Sequence, residues 1–342
     1  MPAEELDARK AAILRAVVTE YIGTALPVGS STVASAARLE VSSATIRAEM
    51  VALEREGYLH QPHTSAGRVP TDKGYRFFVD HLTGDAELGP AKRRAVEEFF
   101  ETARGETEAV LERASGLLSD LTRNTAVVVG PAHDAATVRS VQVVELAPGT
   151  LLTLVVLSDG SVEKRTVDLN ANTDRCAAAS RLLSDAMVGR TLAAAPTPTR
   201  SGDADLDALV AACTSAMADL AQEASQERMF VGGNARLAEA FEAVEVVRDV
   251  LGILEQQLVV INLLRDVVGR GLSVAIGEEH GFAPLATCAV VVAPVTVEGE
   301  ARGLVGLLGP TRMNYAESLA AAEVVGRRLG QRLEHHRSDD DA

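Results

Sequence analysis

Tryptophan is absent from this 342-residue chain, aromatic residues make up only 3% of it, and cysteine occurs three times. Cys176, Cys213 and Cys288 are odd in number and far apart, which excludes both a disulfide framework and a zinc-ligand spacing and fits a reducing cytoplasm. No apolar run approaches the ~18 residues needed to cross a bilayer; the best candidate, 258–264, is bounded by Gln256 and Arg265. The N-terminus Met-Pro-Ala-Glu-Glu-Leu-Asp has no basic segment leading into an apolar one, so no secretory signal is expected. Positive charge is also scarce, with a net charge of −15. That deficit is unevenly spread. Residues 1–84 carry nine Lys or Arg against ten Asp or Glu, so −14 of the −15 belongs to the other 258 residues. With 47% hydrophobic residues and this length, two or three domains with proper cores are expected.

The most informative stretch is 42–56, closed by Gly57. At about 100° per residue, Ile46, Met50 and Leu53 form one narrow stripe, and Ala44, Arg47, Ala48, Val51 and Arg55 lie opposite. Ser42 is placed to cap the helix and Gly57 to end it. A small, cationic outer face lets a helix backbone approach another surface closely. The major groove of DNA is such a surface, where Arg meets guanine or phosphate and Ala or a Thr methyl meets thymine; packing against other protein is the alternative. Before this stretch, apolar spacing predicts a helix over 6–22 and a short second helix from Ser30 or Ser31 through Ala37. After it, Tyr58, Leu59 and Gln61 alternate like a strand, 62–67 is turn chemistry, and Arg68-Val69-Pro70 can return as a second strand. Two short helices followed by a hairpin read as a helix-turn-helix with a wing, whose tip carries His63, Thr64, Ser65 and Arg68 as phosphate or minor-groove donors. A helix over 72–82, with Tyr75, Phe78, Val79 and Leu82 inward, closes the unit.

The run Ser42-Ser43-Ala44-Thr45-Ile46-Arg47-Ala48-Glu49-Met50, then Gly57-Tyr58-Leu59 and Gln61-Pro62-His63-Thr64-Ser65-Ala66-Gly67-Arg68-Val69-Pro70-Thr71-Asp72-Lys73-Gly74-Tyr75-Arg76, resembles the HrcA family of heat-inducible transcription repressors. The stretch 303–315 resembles the family's C-terminal signature. The resemblance implies a homodimeric repressor of chaperone operons acting on an inverted-repeat operator of double-stranded DNA, supported by the GroE chaperonin. Candidate DNA-contact residues are Ser42, Ser43, Ala44, Thr45, Arg47, Ala48, His63, Thr64, Ser65, Arg68, Thr71, Lys73 and Arg76.

Beyond the linker at 84–90, a long helical pattern over 92–121 is interrupted at Gly105, and strand-like runs follow at 125–129, 138–146, 151–157 and 161–167. Helical patterns then dominate until strands resume at 272–276 and 286–295. A sheet that starts, pauses and resumes predicts an insertion into one domain. The expected fold class is α+β: a winged helix-turn-helix over 1–84, a GAF-like domain in two halves at 90–172 and 271–335, an inserted helical domain at 173–270 that the resemblance makes a dimerisation domain, and an acidic tail at 336–342. The strands supply no convergent polar groups for a small molecule, so no cofactor and no ligand is expected; the alternative is a ligand-sensing GAF-type regulator. Enzymatic readings fail on spacing. The stretch 303–309 has neither a P-loop Lys nor a dinucleotide pattern, Asp339-Asp340-Asp341 and His335-His336 read as a solvated end, and Glu278-Glu279-His280 cannot converge on one ion from consecutive positions.

Overall fold

The computed structural model describes residues 6–36, 41–63, 66–82, 88–103, 106–131, 136–194, 201–224, 226–241, 243–271 and 273–338. The N-terminal unit, here the head, begins with α1 (Ala8–Thr24), which Asp7 caps by accepting from the amides of Arg9 and Lys10 at 3.0 and 2.9 Å. Its buried face, Ile13, Leu14, Val17 and Val18, receives Val33 from α2 (Ser30–Ala36) and Ile46, Met50 and Leu53 from α3 (Ser43–Arg55). The strands β1 (Leu59–His60) and β2 (Val69–Pro70) pair antiparallel, and α4 (Asp72–Asp80) follows with Thr71 as its cap. The stripe of α4 departs from expectation: Tyr75 and Phe77 are buried, whereas Phe78 and Val79 are half-buried. The reason is that α4 is covered from two sides, by Tyr58 against Phe77 and by Tyr315 against Tyr75, each at 5.9 Å between ring centres.

The remainder, here the body, is organised on a five-stranded sheet. The helices α5 (Pro90–Thr102) and α6 (Thr107–Thr122) lead to β3 (Thr125–Val129). The chain then leaves this sheet for β4 (Val138–Ala147), β5 (Thr150–Leu157), β6 (Val162–Asp168), α7 (Thr173–Met187) and α8 (Ala204–Ala224). It returns with β7 (Met229–Gly232), α9 (Asn234–Ala240), α10 (Val244–Leu254), α11 (Gln257–Gly269), β8 (Val274–Ile276), β9 (Cys288–Val297), β10 (Glu300–Pro310) and α12 (Tyr315–Ser338). The large sheet has the order β7-β3-β10-β9-β8, with every neighbouring pair antiparallel.

Alternation along β9 shows why its sequence reads as an unbroken apolar run. Ala289, Val291, Ala293 and Val295 enter a core shared with α6, α12 and the head, while Cys288, Val290 and Val292 enter a second core with α10 and α11. Over 288–293 both faces are buried, so neither register position there is polar, whereas Pro294 and Thr296 beyond it are exposed. Gly330 and Gly326 allow α12 to lie close on this sheet; a Cβ at Gly330 would stand 2.0 Å from the Thr296 carbonyl oxygen.

The insertion lies elsewhere than the expected 173–270. Strands β4, β5 and β6 form a separate three-stranded sheet, and α7 and α8 pack on one face of it around a core of their own that runs from Ala136 to Ala224. The expected first half of a single sheet, 90–172, is therefore divided, and α9, α10 and α11 cover the large sheet instead. The cause is that hairpin periodicity is local, whereas the choice of sheet depends on partners remote in sequence. Entry and exit of the insertion are adjacent, because Val129 is paired with Met229 and the Gly130 amide donates to the Arg228 carbonyl at 2.9 Å. At the C-terminus, α12 continues through Ser338, so the acidic tail expected from 336 starts inside the helix, and 339–342 fall outside the described residues.

Candidate nucleic-acid interface

Helix α3 presents the face that its spacing implies. Ser42, Ser43, Ala44, Arg47, Ala48 and Arg55 are exposed, and Thr45 is half-buried. Ser42 accepts from the Thr45 amide at 3.2 Å, with the two hydroxyl groups 3.0 Å apart, which satisfies one free donor of the first turn. The Ser30 and Ser43 hydroxyls, also 3.0 Å apart, tie the start of α2 to the start of α3. Ser30 was not a sequence candidate, and no local pattern distinguishes it from its neighbours. Among the described residues no hydrogen bond or ion pair engages Arg47.

The hairpin is braced from behind. Arg68 exchanges both backbone bonds with Val28 at 2.9 Å, and Gly67 is required there, since a Cβ would stand 2.4 Å from the Val28 oxygen. The Arg68 guanidinium reaches back to Glu54 of α3 at 2.9 and 3.0 Å and is only 14% exposed. His63 is exposed near the turn; Thr64 and Ser65 lie outside the described residues. The Gln61 amide donates to the Ala66 carbonyl at 2.9 Å and closes the loop.

Three further candidates sit where the head meets the body. Thr71 accepts from the Gly74 amide and donates to the Gly57 carbonyl at 2.7 Å. Lys73 donates to the Glu56 carbonyl at 2.9 Å and lies 4.2 Å above the Tyr58 ring. Arg76 is engaged by the body: it donates through Nε to Glu279 at 2.8 Å and to the Val274 carbonyl at 2.8 Å, and makes a second contact with the same carboxylate. Arg270 donates to the Glu279 carbonyl at 2.7 Å from the other side, so the turn Gly277–His280 is held by α11 and α4 together. Beside it, burial and the nearby Glu279 and Glu278 hold the Asp72 carboxyl above the usual carboxylate range. Burial also lowers His280, whose Nε2 lies 2.9 Å from the Leu285 carbonyl oxygen.

No group of three or more His, Cys, Asp or Glu among the described residues could hold a metal ion, and no described helix is long and apolar enough to cross a membrane. The profile of the HrcA protein C terminal domain matches residues 108–319. Heat-inducible transcription repressor HrcA of Nocardia farcinica is 40% identical over 335 residues, covering 95% of this chain and 96% of that protein. The repressor of the same name from a Nocardioides species is 41% identical over 335 residues, covering 95% and 98%.

The chain belongs to the HrcA family.

Its function is accordingly that of a heat-shock transcriptional repressor, a role that needs no catalytic step. A crystal structure described only as a hypothetical protein at 2.2 Å resolution is similar throughout, with a TM-score of 0.74, 27% identity, and coverage of 97% of this chain and 100% of that one. The HrcA profile takes in all of the insertion and both segments of the large sheet but begins after the head; the head is reached by the curated relatives, whose matches cover 95% of this chain.

Proposed function

We propose that the head is a winged helix-turn-helix that reads double-stranded DNA, with α3 in the major groove and the β1–β2 hairpin as the wing. The observation that carries this reading is the outer face of α3, where Arg47, unpaired among the described residues, stands between exposed Ala44 and Ala48 on a capped helix. Ser42, Ser43 and Thr45 at the helix start, with His63, Thr64 and Ser65 at the wing, fit phosphate positioning. Arg68 acts through Glu54 to hold the wing on α3. Arg47→Ala is expected to weaken operator binding by ~1 to 3 kcal/mol with thermal stability unchanged; unaltered affinity at matched salt would remove α3 from the groove.

The large sheet with its helices is read as a GAF-like domain and the three-stranded unit as an inserted dimerisation domain. Support comes from the face of the small sheet opposite α7 and α8, where Val144 and Leu146 are 41% and 57% exposed and Leu152, Leu154 and Val156 are half-buried. An apolar face of that kind fits a second copy, and a two-fold dimer fits an inverted-repeat operator. In the cytoplasm, heat would deplete the folded repressor and the GroE chaperonin would restore it, since one or two kcal/mol changes a marginal population several-fold. Operator binding measured before heating, after cooling, and after cooling with chaperonin and ATP tests this. Full recovery on cooling alone excludes the chaperonin step.

A further inference from the structure

A cleft of about 870 Å³ lies between head and body. One wall is the β2–α4 corner of the head, with Lys73 and Tyr75; the other comes from the end of β10, with Arg312, and from the α9–α10 corner, with Phe241 and Val246. These groups are scattered from 73 to 312 in sequence, which is why no ligand site was expected from the strands.

Three features distinguish the cleft from a water-filled gap between mismatched surfaces. First, its described lining carries two cations against one acid in an acidic protein: no carboxylate is paired with Lys73 or Arg312 among the described residues, and their described hydrogen bonds go to backbone carbonyls, that of Glu56 for Lys73, which also lies over the Tyr58 ring, and that of Ala240 for Arg312. The lining acid, Asp72, is directed at Gly277, where a Cβ would stand 2.0 Å from its Oδ2. Second, the Tyr75 hydroxyl is buried without a hydrogen-bond partner among the described residues, and Arg312 and Tyr21 are near enough to act on it electrostatically. An unmet buried hydroxyl is costly unless something completes it. Third, Phe241 and Val246 are only half-buried and provide an apolar wall beside the cations. Pockets that join an apolar wall to a few convergent polar groups at a domain boundary are where small molecules bind.

We infer that this cleft binds a small organic anion with an apolar body, its charged group between Lys73 and Arg312 and its apolar part on Phe241 and Val246. Because both walls must be in place, an occupant binds the docked arrangement of head and body and stabilises it by mass action. Operator affinity then changes with occupancy, a consequence that rests on the reading of the head as the DNA reader.

The probe is 8-anilinonaphthalene-1-sulfonate, an aromatic anion that fluoresces in apolar surroundings, titrated into the folded full-length chain. One saturable site per chain is expected, weakened at least about fivefold by Arg312→Gln and by Lys73→Gln, each of which removes a charge-assisted donor. Benzoate should displace the probe at least about tenfold better than benzyl alcohol, which has the same ring and no charge. Equal displacement by the two, or unchanged probe affinity in both variants, overturns the site. If neither variant folds, the competition on the unaltered chain decides. A second arm measures operator affinity with and without saturating benzoate. A several-fold shift supports the coupling, and unchanged affinity with the site occupied removes it; failure of the unliganded chain to bind operator at all refutes the DNA reading and leaves the site standing.

Discussion

The contact between Arg76 and Glu279 decides whether α4 serves the DNA or the body. Arg76 is 24% exposed and Glu279 30%, so the pair is neither a solvated surface bridge nor a fully buried one. A hydrogen bond to a charged group contributes about 1.5–3 kcal/mol, against at most about 1 for an exposed pair. Arg76 also donates to the Val274 carbonyl, and its loss leaves Glu279 facing Asp72 and Glu278 with less compensation. Arg76→Ala should therefore cost about 2–3 kcal/mol, and Glu279→Ala less, because it relieves repulsion on Asp72 as it breaks the pair. The double-mutant cycle, measured by chemical denaturation followed by circular dichroism, should give a coupling of about 1.5 kcal/mol or more. Operator binding measured over a range of salt gives the opposing test. An Arg that neutralised one phosphate would lower the salt slope by about one on removal, and Glu279→Ala would leave binding alone. A lowered slope together with coupling under about 0.5 kcal/mol would show that the Arg76 contact with the body is incidental and that the side chain belongs to the DNA.

Gly74→Ala should destabilise the chain by about 1–3 kcal/mol in thermal denaturation despite Ala's better helix propensity, since its Cβ would meet the Tyr58 carbonyl oxygen at 2.3 Å; a stabilised variant would mean that α4 is free to move off the hairpin. Asp72, with its carboxyl raised when folded, adds stability at low pH that is lost as pH rises through the folded value. Asp72→Asn should accordingly raise the melting temperature at pH 7, with the difference closing as pH falls toward the ordinary carboxylate range. A lower melting temperature at pH 7 would show that the negative charge at the start of α4 is stabilised more by the helix than it is opposed by Glu278 and Glu279. Replacing 131–228 by a tight turn joins β3 to β7 where they are already adjacent and should give a folded monomer by sedimentation; a persistent dimer would place the two-fold contact on the large sheet or its helices.

Much of the head was legible because its elements are set by neighbours in sequence. The stripe Ile46, Met50 and Leu53, the Ser42 cap and the turn after Gln61 are all local signals, and the helix and hairpin follow from them. The body was less legible for a complementary reason. Strands β3 and β4 are separated by only a few residues, yet β3 lies between β7 and β10 while β4 pairs with β5 in another sheet. Alternation identifies each as a strand and is silent on its partner. The division shows in the folded burial, where β3 is buried at every position and β4 turns outward over its second half. A strand covered on both faces and a strand covered on one belong to different layers.

Outwardness was legible for the candidate contacts, but what lies outside was not. Arg47 and Arg76 both stand on the polar side of a short amphipathic helix, and helical spacing treats them alike. Around Arg47 the neighbours are Ala44 and Ala48, small residues that leave the guanidinium uncovered and would cost a backbone little in approaching it. Arg76 is met by a carboxylate 203 residues further along the chain. Glu279 itself lies in the run Glu278-Glu279-His280, and the structure gives two of these residues separate partners: Arg76 for Glu279 and the Leu285 carbonyl for His280. A cation on an outward face stays a candidate for the proposed nucleic-acid contact when its flanking residues are small and no complementary charge among the described residues reaches it; Arg47 meets that criterion, whereas Arg76 is engaged by Glu279.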